Sequence, residues 1–209
     1  MDRQQIFRRA TQVLLIGMFA ALAVACSRSA ATDSSTPPMV SKTAWVQGGG
    51  YRLKVSINTG SRVNGEPVLL VVLHGDLGTG TQDALAARAA ADSDVIGVGL
   101  LRPGYTDSMG NTSDGQKGPT TSDNYNAQNT DAIAAAVLEL KREFHPRKTV
   151  LASHSGGAAI TANILGRHPE IADAALLISC PCDVDTWRQH MLQRTHFEGF
   201  RGKVETLSP

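Results

Sequence analysis

Ser155 occupies a position at which a serine hydroxyl can act as a nucleophile. It follows the apolar run 149–152 and precedes the small residues 156–159, Gly-Gly-Ala-Ala. A serine hydroxyl is a weak nucleophile that needs an exposed position and an adjacent base. A sharp turn between a strand and a helix exposes it, and its neighbours must be small because the helix starts against the strand. The pattern predicts nucleophilic catalysis by Ser155, and the alternative is a strand-to-helix turn without chemistry.

The elements that must position Ser155 alternate between strands and helices. The sequence predicts strands over 52–58, 68–73, 95–101, 148–152 and 174–179, and helices over 83–91, 133–144, 156–165 and 184–194, with Gly166 as a C-cap. The run 68–73 is apolar throughout, which is typical of a central parallel strand buried on both faces. Strands that alternate with helices form βαβ units. We therefore predict an α/β fold whose mostly parallel, doubly wound sheet has helices on both faces.

Three segments together resemble the α/β-hydrolase superfamily. They are Val-Val-Leu-His-Gly at 71–75, Arg-Pro-Gly-Tyr at 102–105 and Ser-His-Ser-Gly-Gly at 153–157. The last resembles the G-x-S-x-G turn of that fold, with Ser153 in place of the first glycine. The segments are similar to bacterial prolyl-oligopeptidase-like peptidases and esterases, and the resemblance covers about residues 45–200. It implies a serine hydrolase that cleaves an ester or amide bond through an acyl-enzyme.

The resemblance also implies an oxyanion hole. In this fold one backbone N–H comes from the residue after the nucleophile and one from a loop after an earlier strand. Those donors correspond to Gly156 and Asp76, with Leu77 as the neighbouring candidate. Gly75 would let the backbone approach the substrate, and His74 would position the loop rather than act as a base. The alternative is an ordinary glycine-rich turn after a strand.

The acid and the histidine of a catalytic triad are harder to place. In this fold the triad residues follow the order Ser, Asp or Glu, His. Asp183, with Asp185 behind it, is the candidate acid within the chain, and His190 or His196 is the candidate base. His168 is expected at the wrong end of the sheet.

The C-terminal part of the sequence contains no convincing seventh or eighth strand, after which the family commonly carries its acid and histidine. We therefore expect a chain truncated at its C-terminus, with its last strands missing and little activity of its own. The segment after Arg102, with Tyr105 and Ser108, is expected either to shape the substrate cleft or to be a structural turn.

The first 25 residues resemble an export signal. Arginines at positions 3, 8 and 9 precede the apolar run 13–25, which is short compared with the ~20 residues that span a bilayer. Small residues before Cys26 resemble a bacterial lipobox, in which the cysteine is lipidated. Ala23 stands where leucine is usual, so ordinary cleavage near Ala25 stays open.

The signal peptide is accordingly assigned to 1–25, a flexible polar tether to 26–43 and the hydrolase domain to 44–209. The expected location is the bacterial cell envelope, where a lipid anchor would hold the protein on a membrane facing the periplasm.

Cys180 and Cys182 flank Pro181 directly after a predicted strand. Free thiols at the strand end are the favoured interpretation. A disulfide suits an exported protein, but pairing of residues i and i+2 is strained. Metal binding by this pair with His190 and His196 has no second motif to support it, so we predict no metal site and no cofactor.

Composition fits one globular domain. The chain has 209 residues, a net charge of +1 and 42% hydrophobic residues. A balanced charge gives no basic surface for nucleic acid, so the expected partners are a small-molecule or peptide substrate and the lipid anchor.

The alternatives to an ester- or amide-cleaving serine hydrolase are a thioesterase or lipase on the same fold and a non-catalytic envelope binding protein. A dehalogenase-like enzyme is disfavoured because the nucleophile of those relatives is Asp.

Overall fold

The computed structural model describes residues 38–117 and 125–200. Six strands form one sheet in the order β1-β2-β4-β3-β5-β6. The strands are β1 (Val40–Gly48), β2 (Tyr51–Thr59), β3 (Val68–Leu73), β4 (Val95–Leu100), β5 (Lys148–His154) and β6 (Ala174–Ile178), and the helices are α1 (Thr81–Ala90), α2 (Ala127–Phe144), α3 (Gly156–Arg167) and α4 (Val184–Thr195). Short 3₁₀ turns cover Pro169–Ile171 and Glu198–Phe200. The predicted α/β fold is confirmed.

Strand β3 is the centre of the sheet. It pairs in parallel with β4 on one side and with β5 on the other. Leu69, Val71 and Leu73 are at most 1% exposed and face a core that also contains side chains of α2 and α3. Val72 faces the opposite side and packs with Ala86 of α1. Both faces are therefore covered, as the apolar run predicts.

Strands β1 and β2 form an antiparallel hairpin at one edge of the sheet. Gly49 and Gly50 form its two-residue turn with φ angles of 55° and 90°, a conformation that favours glycine at both positions. Strand β1 begins at Val40, four residues before the predicted start of the domain. Residues 40–43, assigned above to the tether, pair with β2.

The helix boundaries follow local caps. Helix α2 begins after Asn126, whose side chain accepts a hydrogen bond from the Asn129 N–H. Helix α3 ends at Arg167, and its C-cap is His168, whose N–H donates to Ile164 O. The prediction of Gly166 as the C-cap is wrong, because the helix continues through this glycine.

Cys180 and Cys182 form a disulfide with their Cα atoms 5.1 Å apart. The favoured prediction of free thiols is therefore wrong. The separation of 5.1 Å lies within the range that a disulfide spans.

Within the ranges 38–117 and 125–200, no helix is long and apolar enough to cross a membrane. The predicted signal peptide and Cys26 lie outside the described residues.

Candidate active site

Ser155 forms the junction between β5 and α3. Its φ is 51° and its ψ is −120°, a backbone conformation that costs free energy for a residue with a side chain. The Ser155 N–H donates to Ile178 O of β6 at 2.9 Å, and the Ser155 carbonyl accepts from the Ala158 N–H at 2.8 Å. These bonds hold a sharp turn in which the serine is partly exposed at the end of the strand.

The glycines around this turn are required by close packing against the loop after β3. A Cβ added to Gly157 would lie 2.5 Å from His74 O. A Cβ added to Gly75 would lie 3.1 Å from the Ser155 Cβ. Real Cβ atoms do not approach other atoms as closely as the first distance, so a side chain at Gly157 would force the loop and the serine turn apart, whereas at Gly75 the contact is tight and its neighbours would have to shift by a few tenths of an ångström.

The predicted oxyanion donors lie beside the serine. Gly156 is the first residue of α3, so its N–H has no acceptor within the helix, and a helix N-terminus favours negative charge. Asp76 and Leu77 follow the close approach at Gly75 and line the same pocket as Ser155. The structure thus brings Ser155, Gly156 and the loop at Asp76 together, and their role as oxyanion donors stays a prediction.

The side chain of Asp76 is the centre of a buried network that the sequence analysis missed. One carboxylate oxygen pairs with the Arg102 guanidinium at 2.9 Å, and the other accepts from the Tyr125 hydroxyl at 2.6 Å. The Tyr105 hydroxyl also donates to Asp76, at 3.3 Å. A methyl group at Gly156 would overlap both the Asp76 carboxylate and the Tyr125 hydroxyl. The network therefore lies directly beside the first turn of α3.

This network neutralises the charge of the Asp76 carboxylate. If the predicted N–H donors hold an oxyanion, a lone carboxylate beside them would repel its developing negative charge. Arg102 is fully buried and supplies the compensating positive charge. Burial, and then the charge of the Asp76 carboxylate, raises the pKa of the Tyr125 phenol well above its usual range, so Tyr125 remains a donor.

His74 is buried and holds the loop through both ring nitrogens. Its Nδ1 is 2.7 Å from Gly75 O, and its Nε2 accepts from the Arg102 N–H at 3.1 Å. Burial, and then the Arg102 guanidinium, lowers the pKa of His74 to about 3. A neutral ring with these two partners positions the loop, and neither nitrogen is available to take the serine proton.

The buried neutral His74 predicts a loss of stability on acidification. The unfolded chain binds a proton on this histidine below about pH 6.5, whereas the folded protein does not until about pH 3. The free energy of unfolding should therefore fall as the pH drops between about 6.5 and 3, with a slope that approaches about 1.4 kcal/mol per pH unit within this window. Urea unfolding at pH 7.0, 6.0 and 5.0 measures the slope.

The control for that slope is His74→Gln, which cannot take up the proton. This variant should show a flatter pH dependence over the same range, whatever its absolute stability at neutral pH. The range ends at pH 5 because the carboxylates whose pKa values are lowered in the fold, among them Asp107 and Asp183, contribute at lower pH. An equal slope in both proteins would contradict the assignment of the proton to His74.

A pocket of about 580 Å³ opens beside Ser155. The loop 75–78, Thr81 and His154 form one side, and Trp187, Met191, Phe197 and Phe200 form the other. The Trp187 and Phe200 rings meet edge to face at 5.4 Å. A second, smaller pocket of about 420 Å³ shares residues 76–78 and is lined on its far side by Tyr105, Thr106 and Lys117.

Comparison with solved structures identifies the architecture. The chain matches the esterase Est1E from Butyrivibrio proteoclasticus, solved with ferulic acid bound, with a TM-score of 0.54 and 16% identity over 70% of this chain and 56% of that one. It matches brefeldin A esterase, described as a bacterial homologue of human hormone-sensitive lipase, with a TM-score of 0.53 and 17% identity over 89% and 53%. The sheet order, the serine turn and these matches agree. The chain has an α/β-hydrolase fold.

The matched structures are longer than this chain. Epoxide hydrolase A from Mycobacterium thermoresistibile also matches, with a TM-score of 0.48 and 20% identity over 65% of this chain and 38% of that one. The chain thus spans between 38% and 56% of the length of these three structures. No protein-family model and no curated protein matches the chain.

Asp183, the candidate acid, has a structural role in this α/β-hydrolase fold. It is the N-cap of α4, and its carboxylate accepts hydrogen bonds from the Thr186 N–H at 2.9 Å and the Thr186 hydroxyl at 2.8 Å. The bond from the Thr186 N–H, and then that from the hydroxyl, lowers the pKa of Asp183. Asp185 lies in the first turn of the same helix.

The candidate histidines do not complete a triad in the part of the chain that the structure describes. His190 is exposed on α4, and His196 is the exposed C-cap of that helix. His168 ends α3, with its Nδ1 3.8 Å from a Glu170 carboxylate oxygen. Over 38–117 and 125–200, no histidine ring hydrogen-bonds to the Ser155 hydroxyl.

Proposed function

We propose that the protein is a serine hydrolase that cleaves an ester or amide bond through an acyl-enzyme on Ser155. The observation that carries the proposal is the backbone of Ser155, held at φ 51° and ψ −120° between β5 and α3 and packed against the loop at Gly75. A strained strand-to-helix turn of this kind is how the fold exposes a nucleophile. Two of the structural matches are esterases, which supports ester cleavage.

The geometry suits the following reaction. The Ser155 Oγ attacks the carbonyl carbon while its proton passes to a general base, and the carbonyl electron pair moves onto oxygen. The N–H groups of Gly156 and Asp76, or of the neighbouring Leu77, hold that oxyanion. Collapse expels the alcohol or amine, which takes the proton from the base, and leaves the acyl group on Ser155. Water then attacks the acyl carbon while the base takes its proton, and the second tetrahedral intermediate collapses with cleavage of the bond to Ser155 Oγ, which takes that proton back from the base as the acid product leaves.

We also propose that the protein is exported and anchored through Cys26. The basic and apolar start of the chain, with small residues before Cys26, supports this location. The disulfide between Cys180 and Cys182 supports it independently, because disulfides persist in oxidising compartments.

Labelling with an alkyl fluorophosphonate tests the proposed nucleophile. Attack by Ser155 forms an oxygen–phosphorus bond and expels fluoride, so the adduct is stable. We expect mass spectrometry to find the phosphonyl group on the tryptic peptide 149–167, at Ser155 rather than Ser153. Ser108→Ala, which changes an exposed serine in another loop, should be labelled at the same rate as the unchanged protein.

Ser155→Ala should not be labelled on this peptide. A folded protein in which Ser155 stays unmodified would contradict the proposed function. That result would favour the alternative of a non-catalytic envelope binding protein on a hydrolase fold.

A further inference from the structure

The pocket beside Ser155 has one wall made almost wholly of aromatic rings. Trp187 and Met191 lie four residues apart on α4, which places them on the same face of the helix. Phe197 and Phe200 follow the helix and complete the wall. The Phe200 ring meets Trp187 edge to face at 5.4 Å and Phe197 edge to face at 5.5 Å. Each ring thus holds its neighbour and leaves apolar surface towards the pocket.

The wall is fixed by the segment that precedes it. The disulfide between Cys180 and Cys182 lies directly before α4, and Asp183 caps the first turn of the helix through Thr186. Both features restrain the start of the helix that carries Trp187. Asp183 therefore serves to position the pocket wall through α4.

The opposite side of the pocket offers no free negative charge. Asp76 is the one carboxylate among the described lining residues, and its two oxygens are occupied by Arg102 and by Tyr125. No lysine or arginine is among those lining residues. A charged substrate group would lose hydration here without meeting a lysine, an arginine or a free carboxylate among these lining residues, whereas an apolar group would gain by burial.

From these contacts we propose that the pocket binds an aromatic, uncharged group attached to the scissile carbonyl, and that Trp187 and Phe200 determine this specificity. A ring fits better than a linear chain because aromatic pairs gain attraction in edge-to-face or offset contact beyond their buried area. The volume of about 580 Å³ lies within the usual range for small-molecule sites. The substrate class is thus an arylalkanoyl ester or amide. This inference rests on the proposed function, since it places the group beside the bond that Ser155 attacks.

A binding measurement tests the pocket without requiring catalysis. The chain contains two tryptophans, so in a Trp45→Phe background the fluorescence reports on Trp187 alone. N-methyl-3-phenylpropanamide should change this fluorescence with saturation. N-methylpropanamide, which has the same amide without the ring, should need at least about tenfold more ligand for the same change. Equal responses to the two amides would overturn the inference.

A kinetic measurement tests the two residues. The ratio of kcat/KM for phenyl 3-phenylpropionate to kcat/KM for phenyl acetate should fall about tenfold in Trp187→Ala and in Phe200→Ala. Trp187→Phe keeps a ring and should retain most of the ratio. Gln189→Ala changes an exposed residue of the same helix and should leave the ratio unchanged. Circular dichroism of each variant confirms that the fold is kept.

The two tests separate this inference from the proposed function. If the phenyl amide binds at Trp187 while Ser155 is never labelled, the pocket inference holds and the hydrolase proposal fails. If Ser155 is labelled but the alanine variants keep the substrate ratio, the hydrolase proposal holds and the inference is overturned.

Discussion

In a form of the protein that includes the general base, Ser155→Ala is expected to lower the rate of phenyl ester hydrolysis by about 10⁶-fold, the scale of loss when a nucleophilic serine is removed from a serine protease. The variant keeps the turn and the N–H groups beside it but lacks the oxygen that forms the acyl-enzyme. Any remaining rate above that in water would come from substrate binding and from oxyanion stabilisation. The measurement is kcat/KM with phenyl 3-phenylpropionate for the unchanged and variant proteins.

The same strand supplies a matched control for that prediction. Ser153 lies two residues before Ser155 but is 1% exposed, and its hydroxyl pairs with the Thr161 hydroxyl at 2.6 Å. Ser153→Ala should lower the free energy of unfolding by about 1–3 kcal/mol, because the buried Thr161 hydroxyl loses its partner. Its rate at 25 °C should change little. If Ser155→Ala retained more than a tenth of the activity, Ser155 would not be the nucleophile.

The sequence predicts those parts of the site whose residues form a recognisable pattern within a short stretch of the chain. The serine turn is visible because an apolar strand, a serine and several small residues follow one another within 149–159. The central strand β3 is visible because both of its faces are apolar. In each case the residues that reveal the element are the residues of the element itself and its immediate neighbours in the chain.

The buried network at Asp76 has no such local pattern. Its partners Arg102 and Tyr125 lie 26 and 49 residues further along the chain. Tyr125 lies directly before Asn126, the N-cap of α2. Only the packing of the loops after β3 and β4 against the start of α3 brings these groups together, so the sequence predicts Asp76 for its N–H but not for its side chain.

The sequence alone also does not distinguish two roles for Asp183, the candidate acid. Asp183 precedes a predicted helix and has Thr186 three residues later, which fits a helix N-cap as well as it fits a catalytic acid after a strand. The observed bonds to Thr186 satisfy the first interpretation. The two roles use the same residue type at the same position, and only the hydrogen-bond partners distinguish them.

Arg102→Met is expected to lower the free energy of unfolding by about 3–5 kcal/mol, because it leaves the buried Asp76 carboxylate without its counter-ion. Arg102 is fully buried, and its guanidinium also donates to His74 O at 3.1 Å and lies 4.8 Å from the Tyr105 ring centroid. Urea unfolding at pH 7 measures the loss. The exposed pair of Arg167 and Asp131, at 2.7 Å, provides the comparison: Arg167→Met should cost no more than about 1 kcal/mol.

A double variant shows whether the loss comes from the charge. Combining Arg102→Met with Asp76→Asn removes both ionised groups, so much of the stability lost in the single variant should return, and the two substitutions should be strongly non-additive. The kcat/KM for phenyl ester hydrolysis should also fall in Arg102→Met and recover in the double variant. The single variant leaves an uncompensated negative charge beside Gly156, and the double variant does not. If the double variant were as unstable as the sum of the two single ones, Arg102 would act through packing against Tyr105, and the neutralising role assigned to it would be wrong.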